Sequence, residues 1–337
     1  MINIAVLYSK GLNISFKNYV DNLMSLLKQN DIQFIPFGED DPLPINADLF
    51  WDPSQSLPNS LSKLKKPLII TIQGDYELGI PAHELYGRNF LVSSLVGFIS
   101  KTKLKYKWWL FRNRCSAIIT ISEYAKTILQ KKLKLNGKKI YVAYHGVDLN
   151  VFNPNGRKHV PNLPYFLHVS HYQYRPNVQR KNLNRILQAY NEFPYRSKVK
   201  LKLIASNYSG PKINIEGVEL ITARIPTEEL VSLYRGALGF VFPSLHEGFG
   251  VPIVEAMACG CPVITSNVTA CPETADDAAL LVNPRSVEEI VKAMQRLMED
   301  KNLCNELRER GLERAKIFTW QKSAEKHLQI FKNILGF

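Results

Sequence analysis

One stretch constrains this chain more than any other: Phe240 to Ser266, FVFPSLHEGFGVPIVEAMACGCPVITS. Phe240 to Phe242 is a short apolar, aromatic run of the kind that forms a buried parallel strand. Pro243-Ser244 ends it. The turn His246-Glu247-Gly248-Phe249-Gly250 hands over to a helix whose first turn carries Pro252, where a missing amide hydrogen costs nothing. Gly260 closes that helix, and Cys261 to Thr265 is apolar and β-branched again. Strand, glycine-bearing turn, helix and strand make one βαβ unit.

The chemistry of such a unit follows from its geometry. Backbone amides at a helix N-terminus, with Gly248 and Gly250 on either side of Phe249 so that a ligand can approach the main chain, suit an anionic oxygen such as a phosphate or diphosphate. Glu247 precedes the turn and Glu255 lies in the first turns of the helix. Both can face one ligand, and as carboxylates they are better suited to accept hydrogen bonds from sugar hydroxyls than to hold phosphate.

The rest of the chain supplies two domains' worth of material. At 337 residues, with 45% hydrophobic content, two packed cores are expected. Ile2 to Tyr8, Ile32 to Phe37, Ala47 to Trp51, Pro67 to Ile72, Ala117 to Ile121 and Lys139 to Ala143 read as strands, with a helix at Ser15 to Gln29. A second series begins at Tyr165 to Ser170 and runs through Lys200 to Ala205 and Val218 to Thr222. Alternation of this kind implies α/β architecture with parallel sheets, and ligands of such sheets sit beyond the carboxyl ends of the strands. The loops at Ser9 to Asn13, Gln73 to Pro81 and Ser122 to Tyr124 thereby become candidates to hold a second substrate.

No run of about 18 apolar residues exists to span a membrane, and MINIAVLYSKG looks like a first strand rather than a signal peptide. Five cysteines are an odd number without the paired spacing of a zinc site; Cys259-Gly260-Cys261 could suggest a redox or metal pair, but at a helix end leading into a buried strand these two are expected to be small buried thiols, in a reducing cytoplasm. The net charge of +13 is concentrated: residues 101 to 139 carry twelve Lys or Arg and a single acid, Glu123. Asn89 to Arg114 reads as a basic helix with Phe90, Leu91, Leu95, Phe98 and Ile99 as its apolar stripe and Trp108 and Trp109 among the cations. Basic residues interleaved with aromatics suit an anionic membrane surface or nucleic acid. A solvated helix with its Trp side chains packed inward is the third reading.

The stretch around Glu247 and Glu255 resembles the Glu-x7-Glu signature of the family-4 glycosyltransferases, retaining nucleotide-sugar enzymes of the GT-B fold, in which two Rossmann-like domains face an interdomain cleft. The likeness is strong from 165 to 320 and looser before. It implies an acceptor domain at 1–153, a linker at 154–164, a nucleotide-sugar domain at 165–318 and a final helix, 319–337, crossing back to the first domain. His145-Gly146-Val147-Asp148 and Phe152-x-Pro154 resemble the family's linker, with His145 in place of Asn.

By the same resemblance Glu247 contacts the transferred sugar, Glu255 binds the ribose hydroxyls, and Gly248, Phe249, Gly250 and Val251 approach the sugar and the diphosphate. Arg180-Lys181-Asn182 matches a motif at a helix start, where two cations are electrostatically odd unless an anion is bound. Arg180 and Lys181 are therefore assigned to the donor phosphates, with Arg175 as a substitute for Arg180, and Ile225 to the nucleobase. Thr227-Glu228-Glu229 is expected to cap the following helix. The clearest departure is Gln73-Gly74-Asp75, where many relatives place a His near the reaction centre. Gln73 cannot shuttle a proton, which leaves positioning to it and any basic role to Asp75 or a leaving-group oxygen. Gly11, His83 and Ser122 are the acceptor-binding candidates.

The implied function is a metal-independent, retaining hexosyltransferase moving a hexose from a UDP-sugar or GDP-mannose to a glycan or lipid-linked acceptor in cell-surface polysaccharide or glycolipid synthesis. No cofactor is implied beyond the nucleotide sugar, and no nucleic acid is expected as partner. The place of work is the cytoplasm, at the inner face of the membrane if 101–139 docks there. A GT-B epimerase or phosphorylase, or a non-catalytic nucleotide-sugar or nucleic-acid binding protein on the same fold, are the alternatives. Acid/base carboxylates would mark the epimerase, a pyridoxal lysine site the phosphorylase.

Overall fold

The computed structural model describes residues 1–8, 14–74, 81, 90–133, 135, 139–171, 180–206, 208 and 210–337. They form two compact units. One comprises Met1–Gly79, Val96–Gly146 and Phe318–Phe337, and the other Val147–Ile317 with the described residues of Ile80–Leu95. The boundary falls after Gly146, earlier than residue 153, because Arg235 holds the segment that follows: its guanidinium donates to the Asn153 carbonyl at 2.7 Å and to Asn153 Oδ1 at 3.1 Å.

In the first unit, β1 (Ile2–Leu7), β2 (Ile32–Phe37), β3 (Leu49–Asp52), β4 (Leu68–Ile72), β5 (Ala117–Thr120) and β6 (Ile140–Val142) pair in parallel in the order β2-β1-β3-β4-β5-β6. The inner strands are buried on both faces, hence continuous apolar runs such as LIITI in β4. Edge strand β2 instead alternates, burying Ile32, Phe34 and Phe37, and carries Pro36 where an edge tolerates a missing donor. Helices α1 (Ile14–Leu27), α2 (Asn59–Ser62), α3 (Phe90–Phe111, which is grouped with this unit from Val96 onward) and α4 (Glu123–Leu133) lie between the strands in sequence.

Helix α3 turns the opposite way from the sequence expectation. Leu91, Leu95, Phe98 and Ile99 are exposed, whereas Ser93, Trp108 and Phe111 are buried and Leu104 and Leu110 pack against the core. Trp108 points in and Trp109 out. The helix is apolar on two faces, and the inward one, broken by Ser93 and Gly97, is the less conspicuous in sequence.

The second unit repeats the scheme. β7 (Tyr165–His171), β8 (Lys200–Ser206), β9 (Val218–Ile221), β10 (Gly239–Phe242), β11 (Val263–Ser266) and β12 (Ala279–Val282) form a parallel sheet in the order β12-β11-β10-β7-β8-β9. Helices α5 (Leu183–Glu192), α6 (Thr227–Gly236), α7 (Val251–Ala258), α8 (Cys271–Ala275), α9 (Val287–Glu299) and α10 (Lys301–Ala315) accompany it. Phe166, Ile186, Tyr190, Val241, Ile264 and Met294 fill the core on one side. Thr227 does not cap α6: the cap position is Pro226, with no side-chain hydrogen bond, and Thr227 is the first helical residue.

The last helix, α11 (Trp320–Leu335), belongs to the first unit and packs along α1. Thr319 caps it by accepting from the Lys322 amide at 3.2 Å. Its inner face presents Trp320, His327 and Phe331 to a buried aromatic cluster of Tyr19, Trp51 and His145. His327 Nδ1 lies 2.7 Å from the Ser323 carbonyl, which can only accept, so the ring proton sits on Nδ1 and Nε2 accepts from the Tyr19 hydroxyl at 2.8 Å. Trp51 Nε1 donates to Thr71 Oγ1 at 2.8 Å. Gly146 lies so close to Trp320 that a Cβ there would stand 2.5 Å from the Trp320 Cα, so glycine is demanded here by space.

Candidate functional site

The order of the second sheet reverses at β7, which pairs with β8 on one side and β10 on the other. Chain connections diverge from such a point and leave a crevice beyond the strand carboxyl ends. The segment after β10, Pro243 to Gly250, lies there, and so does Arg180-Lys181-Asn182 at the start of α5. The two are stitched together: the Arg180 carbonyl accepts from the Leu245 amide at 2.8 Å and from Ser244 Oγ at 2.9 Å. Asn182 adopts the left-handed conformation (φ 62°) and donates to the Pro243 and Pro284 carbonyls at 2.8 and 2.6 Å, joining three loops at one buried amide.

Glu247 is the centre of the arrangement. It is buried, with Oε1 accepting from Lys181 Nζ and Ser244 Oγ, each at 2.6 Å, and Oε2 from Arg180 at 3.2 Å. Burial pushes its pKa up, but Lys181 and Arg180 more than offset this and hold it down to about 2. Glu247 is therefore an ionised acceptor at neutral pH and not a proton donor. Burial lowers Lys181 to about 8, opposed by Glu247, and the ammonium lies 4.6 Å from the centre of the Phe242 ring. The two cations at the start of α5 converge on this one carboxylate, which offsets one of their two positive charges.

A buried layer supports the triad. Thr269, itself in the left-handed region (φ 62°), accepts from the Glu247 amide through Oγ1 at 3.1 Å. His168 in β7 is fully buried, its Nδ1 donating to the Val241 carbonyl at 2.8 Å and its Nε2 accepting from Ser170 Oγ at 3.2 Å. Burial lowers it to about 4 and keeps it neutral beside Lys181. Ser170 spends its hydroxyl on that imidazole. Cys271 is buried beneath Glu247 and burial pushes its thiol up to about 12, so it is inert. Cys259 is likewise buried and raised to about 12.

Helix α7 begins at Val251 with Pro252 in its first turn, after Gly250 at φ 98°. A Cβ on Gly250 would also meet the Ile253 side chain at 2.8 Å, so both conformation and space require glycine. Phe249 is buried and its carbonyl accepts from Thr274 Oγ1 at 2.5 Å. Gly248 is buried too, and Val251 is half-buried. One turn into the helix, Glu255 accepts from the buried Tyr234 hydroxyl at 3.2 Å. Burial raises its carboxyl to about 7 against that hydrogen bond, so it titrates near neutrality.

Other predicted residues fall elsewhere. Ile225 is half-buried in the loop before α6. Gln73, at the carboxyl end of β4, donates to the Pro53 carbonyl at 3.4 Å. Ser122 is buried and accepts from the Ala125 amide at 3.0 Å, holding the first turn of α4. Gly11, Asp75, His83 and Arg175 lie outside the described residues. Sequence reasoning missed Ser244, Thr269, His168, Tyr234 and Asp52. Asp52 is buried at the end of β3, where the first sheet reverses between β1 and β3. It accepts from the Ser54 and Leu57 amides at 3.0 and 2.9 Å, and burial raises its pKa. Only Ser244, three positions before Glu247, had a signal in the sequence.

Two family models match parts of both units. The family described as Glycosyl transferases group 1 matches residues 165–314, and that described as Glycosyltransferase Family 4 matches residues 45–151. O-antigen chain mannosyltransferase B of Escherichia coli is 36% identical over 163 residues, 45% of this chain and 43% of the relative. A serotype-specific mannosyltransferase of the same species, WbdA, is 30% identical over 46% of this chain and 21% of its own length. The matches thus span less than half of these two relatives. An MMP alpha-(1->4)-mannosyltransferase of Mycolicibacterium hassiacum is 25% identical over 82% of the chain and 67% of its own length. Among solved structures, sucrose-phosphate synthase of Thermosynechococcus elongatus superposes with a TM-score of 0.77 at 18% identity, over 100% of both chains. HepE of Anabaena, solved with UDP and glucose, gives 0.72 at 16%, over 99% of this chain and 100% of its own.

Proposed function

We propose that this chain, which belongs to the family-4, group-1 glycosyltransferases of GT-B fold, transfers a hexosyl residue from a nucleoside diphosphate sugar to a glycan or lipid-linked acceptor with retention of anomeric configuration. The names of its relatives favour mannose and a role in surface polysaccharide synthesis. The observation that carries the proposal is the Arg180–Glu247–Lys181 group at the reversal point of the second sheet.

Breaking a sugar–phosphate bond develops positive charge at the anomeric carbon and negative charge on the departing diphosphate. Arg180 and Lys181 provide two preorganised cations for that negative charge, the electrostatic contribution usually worth most, and thereby do without a metal ion. Glu247, held ionised, accepts hydrogen bonds from sugar hydroxyls and opposes the positive charge developing on the ring. Glu255 accepts from the ribose hydroxyls, with Tyr234 fixing the carboxylate. The main chain of Gly248 to Val251 approaches sugar and phosphate, and Ile225 packs against the base. Gln73, Asp75, Gly11, His83 and Ser122 are assigned to the acceptor, with Gln73 positioning and Asp75 the available base.

The test is incubation with GDP-mannose and a panel of UDP-sugars, scoring released nucleotide and transferred label. Turnover of one donor with Glu247→Ala and Lys181→Ala inactive supports the assignment. Conversion of a donor to its epimer with the nucleotide still attached overturns it, as does the absence of turnover with every donor when acceptor is supplied.

A further inference from the structure

The outward face of α3 belongs to nothing in the transfer chemistry. Leu91, Leu95, Phe98, Ile99, Tyr106 and Trp109 are all exposed, each with between 45% and 75% of its surface accessible. They are six of the large exposed apolar side chains among the described residues, gathered on one helix. Positions 91, 95, 98, 102, 106 and 109 follow one another in steps of four and three. At 3.6 residues per turn this is one face, about 27 Å long at 1.5 Å per residue, with Ile99 beside it. The opposite face carries the buried Ser93, Trp108 and Phe111. Tyr106 and Trp109 stack at its far end, ring centres 6.1 Å apart and planes inclined by 20°.

The charges beside this stripe have one sign. Lys101, Lys105 and Arg112 flank it on one side and Lys103 on the other, while Lys107 is occupied by the Ser56 carbonyl at 3.1 Å. Phe90 to Phe111 contains no carboxylate. Two copies of the face would bring cation against cation, which disfavours self-association. A nucleic-acid groove calls for cations and stacking rings, and has no use for a row of Leu and Phe between them. An apolar stripe edged by Lys and Arg, with Tyr and Trp at one end, fits the boundary between lipid headgroups and acyl chains. No helix of the described residues is long and apolar enough to cross a membrane, so the helix would lie in the plane of the surface.

We infer that α3 docks the protein on an anionic lipid bilayer, Leu91, Leu95, Phe98, Tyr106 and Trp109 entering the headgroup boundary and Lys101, Lys103, Lys105 and Arg112 meeting lipid phosphates. This deepens the reading of a lipid-linked acceptor, but it stands on the exposure and charge of α3 alone, and its test uses no turnover.

Vesicles of phosphatidylcholine, with and without 30% phosphatidylglycerol, are titrated into the full chain, and binding is measured by sedimentation and by tryptophan emission. Of the four tryptophans, Trp51, Trp108 and Trp320 are buried, so a blue shift on binding reports Trp109. Anionic vesicles are expected to bind and shift the emission, neutral ones to bind at least about tenfold less. Trp109→Phe abolishes the shift with binding largely kept. Lys101→Glu/Lys105→Glu weakens binding at least about 25-fold, at about fivefold for each cation near the surface. Phe98→Ser/Leu95→Ser, with circular dichroism unchanged, weakens it at least about tenfold. Equal binding to both vesicle types, or none to either, overturns the inference. So does a concentration-dependent dimer dispersed by Phe98→Ser, or a stronger response of the Lys variants to oligonucleotide than to vesicles. Since nucleotide-sugar turnover is not read, a failure here leaves the transfer proposal standing, and the reverse holds as well.

Discussion

Lys181 Nζ lies 2.6 Å from Glu247 Oε1, and both side chains are nearly out of solvent. Removing either partner leaves a charge in a buried site, whereas the pair together is close to neutral. Lys181→Ala is expected to cost about 3 kcal/mol or more in stability and to lower turnover by about a hundredfold or more. Lys181→Met and Glu247→Gln are milder in stability and equally severe in turnover. Thermal unfolding beside donor turnover separates the two effects, and full activity in Lys181→Met would remove the cation from the mechanism.

Glu255 supplies a pH dependence. Burial raises its carboxyl to about 7, and the proposed hydrogen bonds from ribose hydroxyls call for the ionised form. Nucleotide affinity should therefore rise with pH through 7 and level off above it, falling by up to about tenfold per pH unit below. Glu255→Gln should bind more weakly with a flat profile. The same group bears on folding: with its folded pKa above the unfolded value near 4.5, its contribution favours the fold at low pH and is lost as pH rises through 7. Glu255→Gln should gain in melting temperature relative to the parent at pH 8 and not at pH 4. Calorimetric titration at three pH values and matched melting curves check both.

Acid should loosen the first unit through His145 and His327. Burial lowers both from 6.5 to about 4, so the unfolded chain takes up protons first as pH falls. Stability is full above 6.5, declines by about 1.4 kcal/mol per pH unit for each histidine between 6.5 and 4, and levels off below. His327→Phe should remove one part of this slope while losing the Tyr19 hydrogen bond at all pH values. Denaturant titrations from pH 7 to pH 4 give the slope directly.

Asn182→Ala should be costly beyond its size. It removes two hydrogen bonds to buried carbonyls, about 1 kcal/mol each or more, and places a Cβ-bearing apolar residue at φ 62°. Because Asn182 fixes the backbone that presents Arg180 and Lys181, donor KM should rise along with the loss of stability. An unchanged KM would show that the two cations are positioned without it.

Much of the second unit could be read in the sequence because its strands are short apolar runs closed by Pro, Gly and Ser, and because Glu247-Gly248-Phe249-Gly250 has a spacing that geometry explains. What escaped was contact made across the fold. Neither the ion pairs of Glu247 with residues 66 and 67 positions away nor the support from Thr269, His168 and Tyr234 leaves a local trace. Helix α3 misled for a different reason: periodicity finds an apolar face but does not say which of two such faces meets the core. The cap on α6 failed because Thr227 follows Pro226, whose extended backbone already occupies the cap position.

The place of α11 bears on how the chain matures. Val147 to Ile317 emerges from a ribosome as one uninterrupted stretch and can close its sheet during synthesis, whereas the unit begun by Met1 needs Trp320 and His327 to cover Tyr19 and Trp51. The unit that holds Tyr19 and Trp51 is thus completed only after residues 147–317 have been made. Until Trp320 and His327 follow, those two rings lack their cover.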